Sequence, residues 1–525
     1  MDTDTDIIYT QEDAKRFKHE AERLAYEIEL MHEEIRLLRA KRFGASSEKG
    51  AFSGQGILFD EAEAFCSPSC AEPMLEEVLK VRRARPKSKR ALDLSGLAVR
   101  RIDYELSGDG LICPECAGPM HEMSIEIRKE LLYIPARYEV IEHATHIYAC
   151  RNCQKGADHT PVISATSPNP VFSGSLASAS LLSQVICDKY LYHLPLYRQE
   201  AAFLHDGISL SRQTLANWVI KAGEDWLYGI YDKLRQELIG CTRIHADETT
   251  LEVLREPGRK ATQKSYMWLY RTGGAEVHPV VLYEYKPSRS YEHPKAFLQG
   301  FSGYCHADGY SGYHKLPDAI RIVGCWAHAR RKFDEALKAT PVDKRADSLA
   351  NKGLAFIDVL FDLEHHFAGM DPDDRYKTRN EKSVPVAEDL YRWASKADAL
   401  PKSLVGRALH YLIEQRTYLM RVFEDGALEL SNNRAERSIK PFVIGRKNWL
   451  FSNTPSGAKA SAVIFSIIET AKENRLSVYE YLKYLFEQLP NTTSSKIDDY
   501  LPWSKSLPMH VKVPTKAIKQ LSSPA

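Results

Sequence analysis

The chain has 525 residues, of which 44% are hydrophobic and 27% charged, as in globular proteins too long for a single hydrophobic core. Its 71 basic and 70 acidic residues leave a net charge of +1, so overall charge does not indicate a nucleic-acid partner. No apolar segment is long enough to span a bilayer, and the polar N-terminus lacks the features of a signal peptide. We therefore expect a cytoplasmic protein without a membrane partner.

A heptad pattern runs through the N-terminal region. Apolar residues alternate there in steps of three and four, at Ala14, Phe17, Ala21, Leu24, Ile28, Met31, Ile35 and Leu38. The pattern predicts a coiled coil within residues 1–45 and hence a homodimer or higher oligomer. The alternative is an amphipathic helix packed against its own chain. Residues 46–95 mix both charges with Ser, Gly and Pro, and are predicted to be a charged linker.

Two Cys-x-x-Cys pairs predict a structural zinc site. The four cysteines are Cys113, Cys116, Cys150 and Cys153. The pairs are separated by 33 residues that contain strand-like segments at 125–134 and 138–148. Four thiolates on two tight turns match tetrahedral Zn²⁺, which favours a zinc-ribbon-like domain over residues 96–165. The alternative, a thioredoxin-like redox pair, needs one Cys-x-x-Cys at a helix start rather than two matched pairs.

Residues 166–235 are predicted to form a helical domain that contains a helix-turn-helix. One helix ends at an Asp-Gly turn, and Ser211 is a suitable N-cap for the next helix. In a helix-turn-helix the second helix enters the major groove of DNA, so Arg212 and Asn217 are candidate DNA contacts. An ordinary helical hairpin is the alternative.

From residue 236 onward, β-branched and aromatic residues predict a sheet. The predicted strands are 243–247, 249–254, 265–271, 277–285, 301–307 and 320–325. Strands followed by strands mixed with helices favour a multidomain α/β protein with an RNase-H-like core. That core is assigned to residues 236–330 and 431–480, with a helical insertion at 331–430 between them. Residues 481–525 are predicted to be a C-terminal helix and tail.

Three separated carboxylates, Asp247, Asp308 and Glu436, are the candidate catalytic residues. In an RNase-H-like core the first acid lies on the first strand, the second follows a central strand and the third lies on a late helix. Two Mg²⁺ ions about 3.5–4 Å apart activate an attacking oxygen and stabilise a leaving one. Asp247 is expected to bridge the ions, and the other two acids to bind one ion each. Glu248 is expected to face away, because successive strand side chains alternate.

Each acid also has a structural alternative. The sequence Asp308-Gly309 is a common turn, and Glu436 has the spacing from Asn433 that a capping box requires. Glu469 is the rival third acid, within a predicted helix at 460–472. It lacks the neighbouring cluster of Asn and Arg, so Glu436 is preferred.

Basic and aromatic residues near these acids predict contacts with DNA. The candidates are Arg330, Arg331, Arg437, Lys440, Arg446, Lys447 and Trp449. The basic side chains would hold phosphates, and Trp449 would stack on a distorted base. Cys325 and His328 form a Cys-x-x-His pair without further partners, so core packing is preferred there to a second zinc site.

Over nearly its whole length the chain resembles the insertion-sequence-66 transposase family. The most specific segments are Ala-Asp-Gly-Tyr at 307–310, Cys-Trp-Ala-His-Ala-Arg-Arg-Lys-Phe at 325–333, and residues 432–451. The resemblance implies a DDE transposase of a bacterial insertion sequence, which cleaves the 3′ ends of the element and joins them to target DNA. It gives the catalytic roles to Asp247, Asp308 and Glu436, and implies small accessory proteins.

Two alternatives to a transposase stay open at this point. One is a catalytically inactive DNA-binding regulator derived from a transposase, against which the complete set of acids argues. The other is an RNase-H-like nuclease without strand transfer, which the dimerisation pattern and the DNA-binding modules disfavour.

Overall fold

The computed structural model describes residues 11–43, 138–149, 162–492 and 494–513, and the chain divides into two compact units. One unit combines residues 1–47 with residues 168–512. The other contains residues 48–167 and 513–525. The four cysteines of the predicted zinc site lie outside the described residues, as do the predicted linker at 46–95 and the strand-like segment at 125–134.

Within the unit that contains residues 48–167, two short strands pair. Strand β1 (Ile147–Ala149) is antiparallel to β2 (Val162–Ser164), with Tyr148 opposite Ile163. The strand predicted at 138–148 therefore forms only at its end, since residues 138–146 have no strand partner among the described residues.

The N-terminal heptads form one helix, α1 (Gln11–Phe43). Its apolar heptad residues, from Phe17 to Leu38, form a seam along one side of the helix. The contacts of α1 with the rest of its unit come from the opposite side. Arg36 Nε donates to Ala339 O at 2.7 Å, Glu33 Oε2 accepts from Leu404 N at 3.1 Å, and Leu37 is buried. The seam residues are 45–59% exposed at Leu24, Ile28, Met31, Ile35 and Leu38. The seam is therefore not buried against the chain itself.

Within the described residues 162–240, four helices precede the central sheet. They are α2 (Ala179–Tyr190), α3 (Leu196–His205), α4 (Arg212–Lys221) and α5 (Tyr228–Gly240), with a π-helical turn (Ala222–Leu227) before α5. Gly207, at φ 81°, forms the turn between α3 and α4. The Ser211 hydroxyl caps α4 by accepting from Thr214 N at 3.2 Å. Two helices joined by a glycine turn, with Ser211 as the cap of the second, are thus present, whereas their identity as a DNA-binding helix-turn-helix stays a prediction.

A five-stranded mixed sheet lies at the centre of the fold. Its strands are β3 (Arg243–Glu252), β4 (Lys264–Thr272), β5 (Val281–Lys286), β6 (Gly303–His306) and β7 (Ile320–Val323), with α6 (Glu292–Phe297) between β5 and β6. The spatial order is β5-β4-β3-β6-β7. The pairs β5·β4 and β4·β3 are antiparallel, while β3·β6 and β6·β7 are parallel. The two strands predicted on either side of Glu248 are one strand, because the pairing with β4 is continuous.

Helices fill the region predicted as an insertion. They are α7 (Trp326–Ala339), α8 (Leu349–His366), α9 (Pro372–Thr378), α10 (Val384–Ala394), α11 (Leu404–Glu414) and α12 (Arg416–Met420). These helices share a second hydrophobic core, which includes Trp326, Phe333 and Leu390. The first core covers the sheet and the helices on either side of it.

Three further helices complete the first core: α13 (Asn433–Trp449), α14 (Pro455–Glu473) and α15 (Val478–Gln488). Helix α14 lies along the outer edge of β5. Ser466 Oγ accepts from Tyr283 N at 2.8 Å, and Thr470 Oγ1 accepts from Val281 N at 3.0 Å and donates to Val281 O at 2.9 Å. None of the described helices is both long and apolar enough to cross a membrane.

Arg379 joins the helical cluster to the segment that leads into α13. Its fully buried guanidinium donates to both oxygens of Glu364 at 2.7 Å. It also donates to the carbonyls of Val422, Asp425 and Leu428, at 3.1, 3.0 and 2.8 Å. Removing the guanidinium would take this donor from the Glu364 carboxylate and from all three carbonyls, of which Asp425 O would keep a hydrogen bond from Leu428 N at 3.2 Å.

Arg379→Met should lower the free energy of unfolding by about 3–5 kcal/mol, because a largely buried carboxylate and three carbonyls lose a donor. Urea denaturation of the full chain, followed by circular dichroism, measures the change. Arg392→Met is the matched control, since Arg392 forms an exposed pair with Asp389 and its loss should change stability by at most about 0.5 kcal/mol. Equal losses in the two variants would refute the anchoring role of Arg379.

Candidate active site

The parallel pairing of β3 with β6 brings the first two candidate acids together. The last pair in that ladder is His245 with His306. Asp247 and Asp308 each follow this pair by two residues, so they lie at the same level at the carboxyl end of β6. Asp247 lies within β3 and not at its end, but beyond His245 the strand pairs only with β4. Beyond His245, the side of β3 that β6 no longer covers is the side on which Asp308 follows the end of β6.

Asn432 fixes the start of α13 against β3. Its Nδ2 donates to Ala246 O at 2.9 Å, and its Oδ1 lies 2.9 Å from His245 Nδ1. The side chain is thus used for this cross-link and not as a cap of its own helix. Glu436 lies one turn further along α13, which places it next to Asp247.

The Glu436 carboxylate faces basic side chains. Its Oε2 lies 3.6 Å from Arg331 Nη2 and its Oε1 lies 3.8 Å from His328 Nε2. Oε1 is buried and has no hydrogen-bond partner. In a capping box the carboxylate would instead bond to the backbone at the helix start, so this alternative is not what the structure shows. The rival acid Glu469 is paired with Lys472 at 2.9 and 3.0 Å.

Negative charge is concentrated around Asp247. Burial is the main cause that raises the pKa of Asp247 well above its ordinary value, and the charges of Glu248, Asp308 and Glu436 raise it further. The Glu248 N–H, which donates to Asp247 Oδ1 at 2.8 Å, acts in the opposite direction. A cluster of hard oxygen donors with this excess of negative charge is suited to a divalent cation.

Glu248 is connected to the acids by an arginine that sequence reasoning missed. Arg289 Nε donates to Glu248 Oε1 at 2.7 Å, and the Tyr313 hydroxyl donates to Glu248 Oε2 at 2.5 Å. Arg289 Nη2 also lies 3.9 Å from Asp308 Oδ2, and the guanidinium lies 3.8 Å from the centroid of the Tyr310 ring. Glu248 thus holds a cation beside Asp308. No local motif marks Arg289, which is 41 residues from Glu248 in sequence.

His328 and Cys325 also lie at the site. Among the described residues, their ligand atoms and those of Glu436 form a group within 4.8 Å of one another. Cys325 Sγ accepts from Asn432 N at 3.2 Å, and burial raises the pKa of its thiol to about 11, so it acts as a neutral packing group. Burial lowers the pKa of His328, and its Nδ1 is buried without a hydrogen-bond partner. The packing role predicted for the pair fits Cys325, but His328 faces a candidate catalytic acid.

The basic residues predicted to contact DNA do not form one surface, and several of them lie on α13. Arg437, Lys440 and Lys447 share one face of α13, since they are three and seven residues apart. Arg446 Nη1 donates to the hydroxyls of Thr249 and Thr250 on β3, at 3.3 and 3.1 Å. Helix α13 therefore carries a basic ridge that begins beside Glu436.

The remaining DNA-contact candidates have different surroundings. Arg330 Nε donates to Asp358 Oδ1 at 2.6 Å, so it pairs within the helical cluster, whereas the neighbouring Arg331 turns to Glu436. On α4, Arg212 and Asn217 are both exposed.

Trp449 is a packing residue in the structure. Its half-buried ring lies against the rings of Tyr190 and Phe465, each at 6.2 Å between centroids. Lys189 Nζ lies 4.8 Å from the ring centroid. A Cβ added to Gly445 would come within 2.1 Å of the ring, so the glycine makes room for it. Stacking of Trp449 on a base stays a prediction.

Comparison with known proteins matches three segments of the chain. Residues 174–460 match the Transposase IS66 family, residues 111–154 match the zinc-finger binding domain of transposase IS66, and residues 466–503 match the IS66 C-terminal element. These matches define a transposase. The chain belongs to the IS66 transposase family, which confirms the resemblance seen in its sequence. All four cysteines of the Cys-x-x-Cys pairs lie within the matched zinc-finger segment.

Three proteins of Sinorhizobium fredii, all described as uncharacterized, are similar to this chain. Protein y4qI is 32% identical over 492 residues, which cover 90% of this chain and 88% of the relative. Protein y4jD is 29% identical over 438 residues, covering 80% and 83% of the two chains, and y4hP is 28% identical over 411 residues, covering 74% and 73%. The similarity extends over most of each relative.

Asp247→Asn removes a charge that the fold disfavours. Because the pKa of Asp247 is raised on folding, the native state binds the proton more tightly than the unfolded state, and this stabilisation is lost as the pH rises. The Tm of the variant should exceed that of the wild type by an amount that grows as the pH rises above about 4, the ordinary pKa of an Asp carboxyl, reaching a few degrees. Differential scanning calorimetry without divalent cations tests this. A difference in Tm that does not change with pH would contradict it.

Proposed function

We propose that the chain is a DDE transposase with an RNase-H-like core, which cleaves the 3′ ends of its element and joins them to target DNA. The observation that carries the proposal is the convergence of Asp247, Asp308 and Glu436, produced by the β3·β6 register and by the Asn432 cross-link. The sheet order β5-β4-β3-β6-β7, with three antiparallel strands followed by two parallel ones, supports the RNase-H-like assignment.

The acids fit two divalent ions such as Mg²⁺. Asp247 is within range of the charges of both other acids and would bridge the ions, while Asp308 and Glu436 would each hold one. The buried Glu436 Oε1, which has no hydrogen-bond partner, supports this fit. Bound ions would supply activation of the attacking oxygen and stabilisation of the leaving one. Since Asp308 and Glu436 would hold different ions, the three carboxylates need not meet at one point.

The neighbouring residues of the chain have positioning roles. Arg331 and His328 orient the Glu436 carboxylate, and Glu248 holds Arg289 where it balances the charge of Asp308. The ridge on α13 binds phosphates, and most of the affinity for DNA is therefore electrostatic and falls steeply as salt rises.

We further assign element-end recognition to the zinc-ribbon-like segment and the α3–α4 hairpin. The match of residues 111–154 to a zinc-finger domain supports structural Zn²⁺ on Cys113, Cys116, Cys150 and Cys153. The exposed Arg212 and Asn217 on α4 are the proposed DNA contacts of the hairpin.

Glu436→Gln should lower Mg²⁺-dependent cleavage and joining by at least about 10³-fold, because a metal ligand loses its charge, while binding to the element ends persists. The assay uses labelled DNA from the flanks of the gene, any accessory proteins encoded beside it, and fluorescence anisotropy for binding. Glu469→Gln is the matched control and should retain cleavage, since Glu469 is paired with Lys472 on α14. Binding by the wild type without any cleavage would instead favour an inactive regulator.

The exposed seam of α1 supports self-association as a coiled coil. Seam residues and body contacts lie on opposite sides of the helix, so a second copy of α1 can pair without disturbing the contacts of Arg36 and Glu33. Paired helices would bring two active sites to two element ends.

Leu24→Lys combined with Ile28→Lys should convert the oligomer to a monomer, because two charges enter the apolar seam. Light scattering coupled to gel filtration measures the mass. The control, Glu22→Lys with Glu29→Lys, also adds two lysines to α1 but at exposed positions outside the seam. A dimer that survives the seam substitutions, or is lost equally in the control, would count against the coiled coil.

A further inference from the structure

The chain makes an unusual turn immediately after α13. Leu450 has φ 67° and ψ −51°, and the Phe451 N–H donates to Trp449 O at 2.8 Å, the hydrogen bond that closes a γ-turn. This region of backbone conformation is strained for a leucine, which carries a Cβ. Strained residues persist where the surrounding structure holds them, and they concentrate at functional sites.

The turn is held firmly on both sides. Before it, the Leu450 N–H donates to Arg446 O at 2.7 Å, and the Trp449 ring is packed over Gly445. After it, Ser452 N donates to Glu252 O at 2.9 Å at the end of β3. The strain is therefore maintained by the helix on one side and by the sheet on the other.

The backbone strain at Leu450 is not offset by burial of the side chains of the turn. Leu450 is 64% exposed and Phe451 is 43% exposed. Two large apolar side chains thus project from a rigid base, next to the exposed Lys447 on the basic ridge. An apolar projection flanked by cations matches DNA, whose phosphates attract the cations and whose base pairs accept apolar side chains between them.

The basic ridge on α13 connects the exposed Leu450 and Phe451 with the candidate catalytic acids. Helix α13 runs from Glu436 in its first turn to Leu450 just beyond its end, a distance of about 20 Å at ~1.5 Å per residue. Arg437, Lys440 and Lys447 lie along the path. A duplex that follows the ridge advances one base pair per ~3.4 Å, so about six base pairs separate the two points.

We propose that Leu450 and Phe451 form a wedge that inserts between base pairs of the element end, about six base pairs from the scissile phosphate. This inference rests on the proposed transposase function. Insertion unstacks the step that receives the wedge and bends the duplex there, which lets the DNA follow both the ridge and the acid cluster. The γ-turn keeps the wedge side chains out of the hydrophobic core before DNA arrives.

The test combines Leu450→Gly with Phe451→Ala. Glycine adopts positive φ without strain, so the variant keeps the turn and should fold at least as well, while the wedge is lost. 2-Aminopurine placed at successive positions of the element end reports unstacking as increased fluorescence. We expect an increase with the wild type about six base pairs from the cleavage site and none with the variant. Leu400→Ala, at another exposed leucine, should behave like the wild type.

Cleavage provides a second measurement. The variant should cleave fully paired ends at least tenfold more slowly and recover on ends with a mismatch at the unstacked step, because the DNA then needs no wedge. Equal fluorescence and equal cleavage for variant and wild type would overturn the wedge. A change of oligomeric state without a change in fluorescence would assign the turn to a protein contact and also overturn it.

The two proposals fail in distinguishable ways. Fluorescence requires binding but no chemistry, so an increase that depends on the wedge, with no cleavage by the wild type, would sustain the wedge and refute the transposase activity. Absence of binding to any element end would refute both. Normal cleavage by the variant on paired ends would leave the transposase intact and refute the wedge alone.

Discussion

One residue, Asn432, joins the central sheet, helix α13 and the helical cluster. Asn432 bonds through its side chain to residues 245–246 of β3, and through its backbone N–H to Cys325 at the start of α7. Sheet, late helix and helical cluster therefore meet at one residue. The positions of Glu436 and of the basic ridge that follows it on α13 both depend on this junction, because the helix that carries them begins there.

Much of this arrangement follows from local sequence signals. The two helices on either side of Gly207, the cap at Ser211 and a helix that begins just before Glu436 lie where short-range sequence patterns predict them. The convergence of Asp247 and Asp308 needs only the parallel register of two strands. The continuous strand β3 was missed because consecutive acidic and polar residues interrupt its apolar alternation, although β4 pairs with it throughout.

Features that depend on distant contacts could not be predicted. The pair of Glu248 with Arg289 joins a strand to a loop, and no spacing rule connects them. The sequence predicts only a packing role for His328, because a Cys-x-x-His pair needs further ligands to form a zinc site. The nearby carboxylate of Glu436 comes from a helix more than one hundred residues later. The packing of Trp449 depends on space above Gly445 that sequence does not reveal. The strained Leu450 is likewise a product of tertiary constraint on both sides of the turn.

The side chains of α14 that bond to β5 have a consequence for assembly. An edge strand with open amides invites pairing with another chain, and the risk increases with the concentration of the protein. Ser466 and Thr470 occupy the amides of Tyr283 and Val281, so the outer edge of β5 cannot accept a strand from a neighbour. At high concentrations of the protein, this edge of the sheet is therefore closed to the strand pairing that leads to aggregates.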